Sequence, residues 1–246
     1  MSSKSSKGGA PVITAGKKAL DILYPRRCPL CNEILRDPAG LICRECARVI
    51  KPIKSPVCMK CGVPVPEEEE FCPECRRHIH LFRQGRGIFV YNEGWKASLE
   101  RYKYYGSREF GDFYAAAMVK WGGSDIRRWG IDIITGVPLH IRKERTRGFG
   151  QAWYIAERIA ARTGIPASKK LLRKIRRTDS QKKLDYVHRR SNLAGAFEAS
   201  REAVGRHVLI VDDVYTTGST IDACAEALLR AGAADVCFLT FCIAVR

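Results

Sequence analysis

Residues 208–220 read VLIVDDVYTTGST, and the fold is decided by how this stretch is understood. Residues 208–211 are four apolar residues in a row, the length of a buried strand. Two adjacent acids follow, Asp212 and Asp213, and then Thr216, Thr217, Gly218, Ser219 and Thr220 lead into a helical pattern over residues 220–231. This is a strand that ends in its acids and turns into an anion nest. Backbone N–H groups and hydroxyls of residues 216–220 can converge on one centre, and the helix adds its positive end. Gly218 lets the backbone approach a ligand closely. The cradle suits a monophosphate. The GxxxxGK[ST] pattern of a Walker A loop is absent. The paired acids suit two vicinal hydroxyls of a ribose, and one of them is also placed to position Mg²⁺.

Working outward, residues 87–91 (GIFVY), 131–135 (IDIIT) and 236–245 read as further strands. Residues 94–105, 108–121 and 151–162 read as helices, the last stopped by Gly164 and Pro166. Strands alternating with helices predict a parallel sheet covered by helices, with ligands at the carboxyl ends of the strands. Cys224, Cys237 and Cys242 fall in that half and are expected in its core.

The amino-terminal third reads differently. Residues 1–16 are a Ser/Lys/Gly-rich tail, and residues 17–23 have the spacing of one or two helical turns before Pro25. Cys28 and Cys31, Cys43 and Cys46, Cys58 and Cys61, and Cys72 and Cys75 form four CxxC pairs. Each turn offers two thiolates on one side, and two turns close a tetrahedral four-thiolate site. Zinc is the expected metal, with an iron–sulfur cluster as the alternative. Filled by four protein ligands, such sites are structural. Each quartet is expected to close on itself, an interleaved pairing being the other arrangement. His78 and His80 read as surface residues, with substitute metal ligands as the alternative. The domain boundary is placed near residue 80: tail 1–16, double zinc ribbon 17–80, α/β domain 81–246.

Charge narrows the partners. The chain of 246 residues carries a formal +17, and 46% apolar content excludes wholesale disorder. Residues 140–190 hold 16 basic and 4 acidic side chains, so most of the excess lies there. Such a block points to a polyanion, either nucleic acid or a ligand with several phosphates. Two zinc–tetrathiolate sites would lower the total to about +13. The opening MSSKSSKGG lacks the apolar segment of a secretory signal, and no apolar run nears the ~18 residues of a membrane span. A cytoplasmic protein without membrane insertion is expected.

The stretch VLIVDDVYTTGST resembles the phosphoribosyl diphosphate (PRPP) motif of type I phosphoribosyltransferases. The resemblance implies that Asp212 and Asp213 contact the ribose hydroxyls and that residues 216–220 hold the 5′-phosphate. It also implies a pyrophosphate loop in residues 136–152, GVPLHIRKERTRGFGQA, with Val137, Pro138, Arg142, Lys143, Arg145, Arg147 and Gln151. Residues 176–197 look like the mobile loop that closes such sites, with Lys182 and Lys183. Two cysteine quartets ahead of this domain resemble the ComF family, whose members are linked to DNA uptake in natural competence. The implied fold is a small double zinc ribbon followed by a parallel-sheet type I phosphoribosyltransferase-like domain. One departure stands out: the family pattern reads RGFNQ, and this chain has Gly150 where the Asn would be.

Three functions follow as expectations. A phosphoribosyltransferase would displace pyrophosphate from ribose C1, with Mg²⁺, Arg145 and Arg147 stabilising the leaving diphosphate. A single-stranded DNA-binding module would use the basic face, the ribbons and nearby aromatics. A regulatory protein would bind PRPP without turnover. Competence-machinery proteins are the implied partners. The acceptor is written in no motif; the zinc ribbon or residues 81–110 are expected to act as the hood that selects it.

Overall fold

A computed structural model describes residues 24–37, 39–178 and 192–245. The expected tail, the helical turns at 17–23, and the loop lysines Lys182 and Lys183 lie outside the described residues.

Two ribbons come first and repeat one local design. The Cys28 N–H bonds the Glu33 carbonyl at 2.8 Å and the Asn32 N–H bonds the Cys28 carbonyl at 2.9 Å. In the second ribbon Cys58 bonds Val63 at 2.7 Å and Gly62 bonds Cys58 at 2.9 Å in the same way. The fourth residue after each leading cysteine is left-handed, Asn32 at φ 66° and Gly62 at φ 76°. Gly62 is also held to glycine by crowding, since a Cβ there would lie 2.6 Å from the Gly85 carbonyl oxygen. Each second CxxC opens a short helix, α1 (Arg44–Val49) after Cys43 and α2 (Pro73–Arg77) after Cys72.

Then follow β1 (Gln84–Val90), α3 (Glu93–Tyr104), α4 (Phe110–Trp129), β2 (Ile133–Gly136), α5 (Ile141–Arg147) and α6 (Gln151–Thr163). After them come β3 (Leu172–Lys174), β4 (Phe197–Ala199), β5 (His207–Tyr215), α7 (Ser219–Arg230) and β6 (Asp235–Ile243). Four strands form a sheet in the order β1-β6-β5-β2, every neighbouring pair parallel. β3 and β4 pair antiparallel beside it.

A parallel sheet is covered on both faces, so its strands read as continuous apolar runs. Alternation along β5 sorts its side chains between two cores. Leu209 and Val211 enter the core shared with α3, α4 and α6, while Val208 and Ile210 enter the one shared with α7 and β4. Cys224, Cys237 and Cys242 are fully buried, as expected.

The second core also contains Cys58, Cys61 and Cys72. The ribbon is therefore built into the α/β half. The Ile53 N–H bonds the Ile88 carbonyl, the Gly85 N–H bonds the Lys60 carbonyl, and Arg86 reaches the Ile53 carbonyl, each at 2.8 Å. Sparse apolar residues in the ribbon are thus compensated by a shared core.

Three elements differ from the sequence expectation. β5 continues past Val211 because Asp212, Val214 and Tyr215 keep their register with Thr240, Cys242 and Ile243 of β6. The acids therefore lie within the strand. α4 runs on to Trp129 and ends at left-handed Gly130, since the Gly122–Gly123 pair is packed helix interior. Residues 141–147, expected as loop, form α5.

Candidate functional site

The carboxyl ends of β2 and β5 open on a cavity of about 420 Å³. Asp212, Asp213, Thr216, Thr220, Val137, Pro138, Lys143, Arg147 and Gln151 line it, all nominated from sequence. Thr217 and Ser219 are buried beneath the cradle, their hydroxyls 3.0 Å apart, and Gly218 turns left-handed at φ 80°. A Cβ on Gly218 would meet the Tyr215 hydroxyl at 2.7 Å, so the cradle requires glycine. The 12-residue α7 starts at Ser219 and aims its positive end at this turn. Arg142 lines an adjoining cleft of about 400 Å³ with His140, Lys143 and Lys174. Arg145 lines neither space and is exposed on α5.

Sequence reasoning missed three cationic or aromatic residues of the cavity wall: Lys103, Tyr104 and Lys174. Lys103 and Tyr104 end α3, inside the segment expected as a hood. Lys174 is hidden in a basic run, where nothing distinguishes it from its solvated neighbours. Its position on β3, beside the cavity, is a product of the fold alone.

The electrostatics are organised around the acidic pair. Lys103 forms an ion pair with Asp213. Burial pushes the Asp213 carboxyl up, but the Lys103 ammonium outweighs it and holds the group below the usual carboxylate range. Burial, reinforced by the Asp213 charge, pushes Asp212 well above that range. The two neighbours are thus driven apart, one toward the ionised and one toward the protonated form. The Asp212 carboxyl accepts the Asp213 N–H at 2.9 Å, which fixes its rotamer. Burial lowers Lys174, with repulsion from Lys143 and Arg176 adding to it. Arg147 donates to the Gln151 side chain at 3.0 Å and to the Tyr104 hydroxyl at 2.9 Å, its guanidinium 4.8 Å from the Tyr104 ring centre. These contacts pre-order the fork before any ligand arrives.

The cysteines gather as two separate quartets. Cys28, Cys31, Cys43 and Cys46 form one, and Cys58, Cys61, Cys72 and Cys75 the other, with the sulfurs of each within 4.8 Å of one another. Four soft thiolates at that spacing fit a tetrahedral Zn²⁺ with no open position. Each quartet closes on itself, and interleaving is excluded.

Comparison with known proteins agrees with this layout. The double zinc ribbon domain family matches residues 19–76, and the phosphoribosyl transferase domain family matches residues 151–244. DNA utilization protein YhgH of Salmonella typhimurium is 29% identical over 218 residues, 87% of this chain and 96% of that protein. Competence protein ComFC of Bacillus subtilis is 28% identical over 211 residues, 81% of this chain and 82% of that protein. The chain thus carries a double zinc ribbon domain ahead of a phosphoribosyl transferase domain, and over most of its length it is similar to proteins named for competence and DNA utilization, ComFC among them. Among solved structures, purine phosphoribosyltransferase from Pyrococcus horikoshii overlaps 54% of this chain and 83% of its own, at 14% identity and TM-score 0.36.

Two positions read from the sequence take on a structural meaning here. Gly150, at the family's Asn position, is the N-cap residue of α6, makes no side-chain cap, and does not line the cavity. And His80, read from sequence as a surface residue, is buried and bonded to Asp222 of α7 at 2.7 Å. The correction has a plain cause: the ribbon folds onto the α/β half and carries His80 beneath the cradle.

Proposed function

We propose that this protein binds PRPP with Mg²⁺ and transfers its phosphoribosyl group to an acceptor. The observation that carries this reading is the placement of Asp212 and Asp213 between a phosphate-sized cradle and the Lys143–Arg147 wall of one cavity. Residues 216–220 would hold the 5′-phosphate and the acids the ribose hydroxyls. Arg147, Lys143 and Lys174 would face the diphosphate, where charge builds as the C1–oxygen bond breaks. The carboxylates fit a site that also takes Mg²⁺, a hard cation that prefers oxygen ligands. Arg145 falls outside this set by position. Among the described residues no helix is long and apolar enough to cross a membrane. A cytoplasmic setting and a domain boundary near residue 80 belong to the same proposal. So does a role in DNA uptake, suggested by the names of the relatives.

Thermal unfolding with PRPP and Mg²⁺ tests the reading. A rise in Tm is expected, at about 2.7 kcal/mol for ligand at one hundred times its Kd. Asp212→Asn with Asp213→Asn should abolish it, Arg147→Ala should weaken binding about tenfold or more, and Arg145→Ala should leave it intact. A wild-type chain without any shift rejects the proposal. Release of pyrophosphate with a supplied acceptor then separates transfer from binding alone.

A second reading, a single-stranded DNA-binding surface, is favoured by the 16 basic side chains of residues 140–190 and by exposed Tyr104 and Tyr105 beside the cavity. It requires binding that falls steeply with salt and competition by pyrophosphate.

A further inference from the structure

The 5′-phosphate cradle is supported from behind by a segment that belongs to neither the motif nor the sheet. His80 and Leu81 both bond Asp222, in the first turn of α7. The ring Nδ1 lies 2.7 Å from Asp222 Oδ2, and the Leu81 N–H donates to Asp222 Oδ1 at 2.9 Å. Both carboxylate oxygens are thereby engaged, and the pair is almost wholly shielded, with side chains 1% and 6% exposed. The Asp222 N–H in turn bonds the Gly218 carbonyl at 2.8 Å. His80 also stands directly against the turn: a Cβ on Gly218 would lie 2.9 Å from the ring Cε1.

The imidazole is fixed on its other side. It stacks on Phe82 at 4.8 Å between centroids, and Phe82 packs edge-on against Phe238 at 4.8 Å and Tyr215 at 6.2 Å. Lys60, inside the Cys58–Cys61 turn, places its ammonium 5.4 Å from the Phe82 ring centre. A continuous packed path thus runs from the second cysteine quartet through Phe82 and His80 to Gly218. A turn whose N–H groups must converge on one anion loses affinity when it is free to open.

We infer that His80, held by Asp222 and by the second ribbon, is a positioning residue for the 5′-phosphate cradle. The inference rests on the PRPP reading and adds a specific division to it: His80 serves the phosphate of the ribose end and does not serve the diphosphate end, whose residues lie on α5 and β3.

The experiment compares two fragments by calorimetry, ribose 5-phosphate and inorganic pyrophosphate with Mg²⁺. His80→Ala is expected to weaken ribose 5-phosphate about tenfold, near 1.4 kcal/mol, and to change pyrophosphate less than about twofold. His80→Asn, whose side-chain amide sits where Nδ1 does, is expected to recover most of the loss. Zinc content should stay at that of the parent. Should His80→Ala not fold, Asp222→Asn must show the same selective loss. Equal weakening of both fragments, or no change in either, overturns the inference while leaving the PRPP reading standing. A parent chain that binds neither fragment overturns both.

Discussion

Lys103, next to the end of α3, is ion-paired with Asp213, near the end of β5. Their side chains are 24% and 12% exposed, so the pair sits where water screens it little. Removing one partner strands the other, which costs about 3–5 kcal/mol for a fully buried pair. The partial exposure of Lys103 places this one at the low end. Lys103→Met is expected to lower stability by about 3 kcal/mol in denaturant titration. Adding Asp213→Asn to it should recover much of that loss, because no charge is then stranded. Purely additive losses would show that the two residues do not depend on each other.

That pairing marks the limit of what the sequence discloses. The strand, the acids and the cradle over residues 208–220 were legible because each has a local chemical reason: apolar length, carboxylates, hydroxyls and a glycine turn. The cysteine quartets were legible from spacing alone. Lys103, Tyr104 and Lys174 were not, because a cation or tyrosine at a helix end looks the same whether it faces water or a cavity. His80 was misplaced for a related reason. Its burial depends on the ribbon docking across β1, a long-range contact that no local pattern records. Arg145 and Arg147 are alike in local composition, and only the resemblance to the RGFNQ pattern sets Arg147 apart; the turn of α5 sends one to the cavity and the other to solvent.

Asp212 gives the site a pH signature. Burial and the Asp213 charge raise its carboxyl well above 3.8. A raised acid holds its proton more tightly in the folded chain than in the unfolded one. Its contribution to stability is therefore full below about pH 3.8 and is lost as pH rises through the raised folded value. Asp212→Asn keeps the oxygen that accepts the Asp213 N–H and removes the titration. The variant should exceed its parent in stability at pH 8 and approach it near pH 4. Tm measured across that range checks the sign, and a gap that widens toward acid would contradict it. The same variant should lose affinity for PRPP, the trade-off expected where a site is kept at the expense of stability.

The two metal sites should differ in what their loss does. Cys58, Cys61 and Cys72 lie in the second core of the sheet, whereas Cys28 and Cys46 sit with Leu35 in a small separate cluster and Cys31 is exposed. Structural zinc contributes about 10–16 kcal/mol to the folding of small domains. Loss of the second site should therefore lower the main unfolding transition of the whole chain. Loss of the first should remove one zinc and leave the sheet standing. Cys61→Ser and Cys31→Ser, compared by elemental analysis and calorimetry, test this. Two zinc per parent chain are expected, and equal damage from the two variants would refute the asymmetry.

Gly150 offers a test of whether the family's Asn serves the ligand or the helix. Its backbone, at φ −85° and ψ 107°, is open to any residue, and it caps α6 without a side-chain hydrogen bond. A Cβ there would meet the Glu144 carboxylate at 3.3 Å, the movable end of a side chain, and the Trp153 Cβ at 3.4 Å. An Asn therefore fits, and its side-chain oxygen can accept a free N–H of the first turn of α6. It also narrows the unfolded chain relative to glycine. Gly150→Asn should stabilise the protein by about 0.5–1 kcal/mol. Because Gly150 does not line the cavity, affinity for PRPP should change less than about twofold. A large gain in affinity without a gain in Tm would assign the position to the ligand, and the absent Asn would then be a lost contact in this chain.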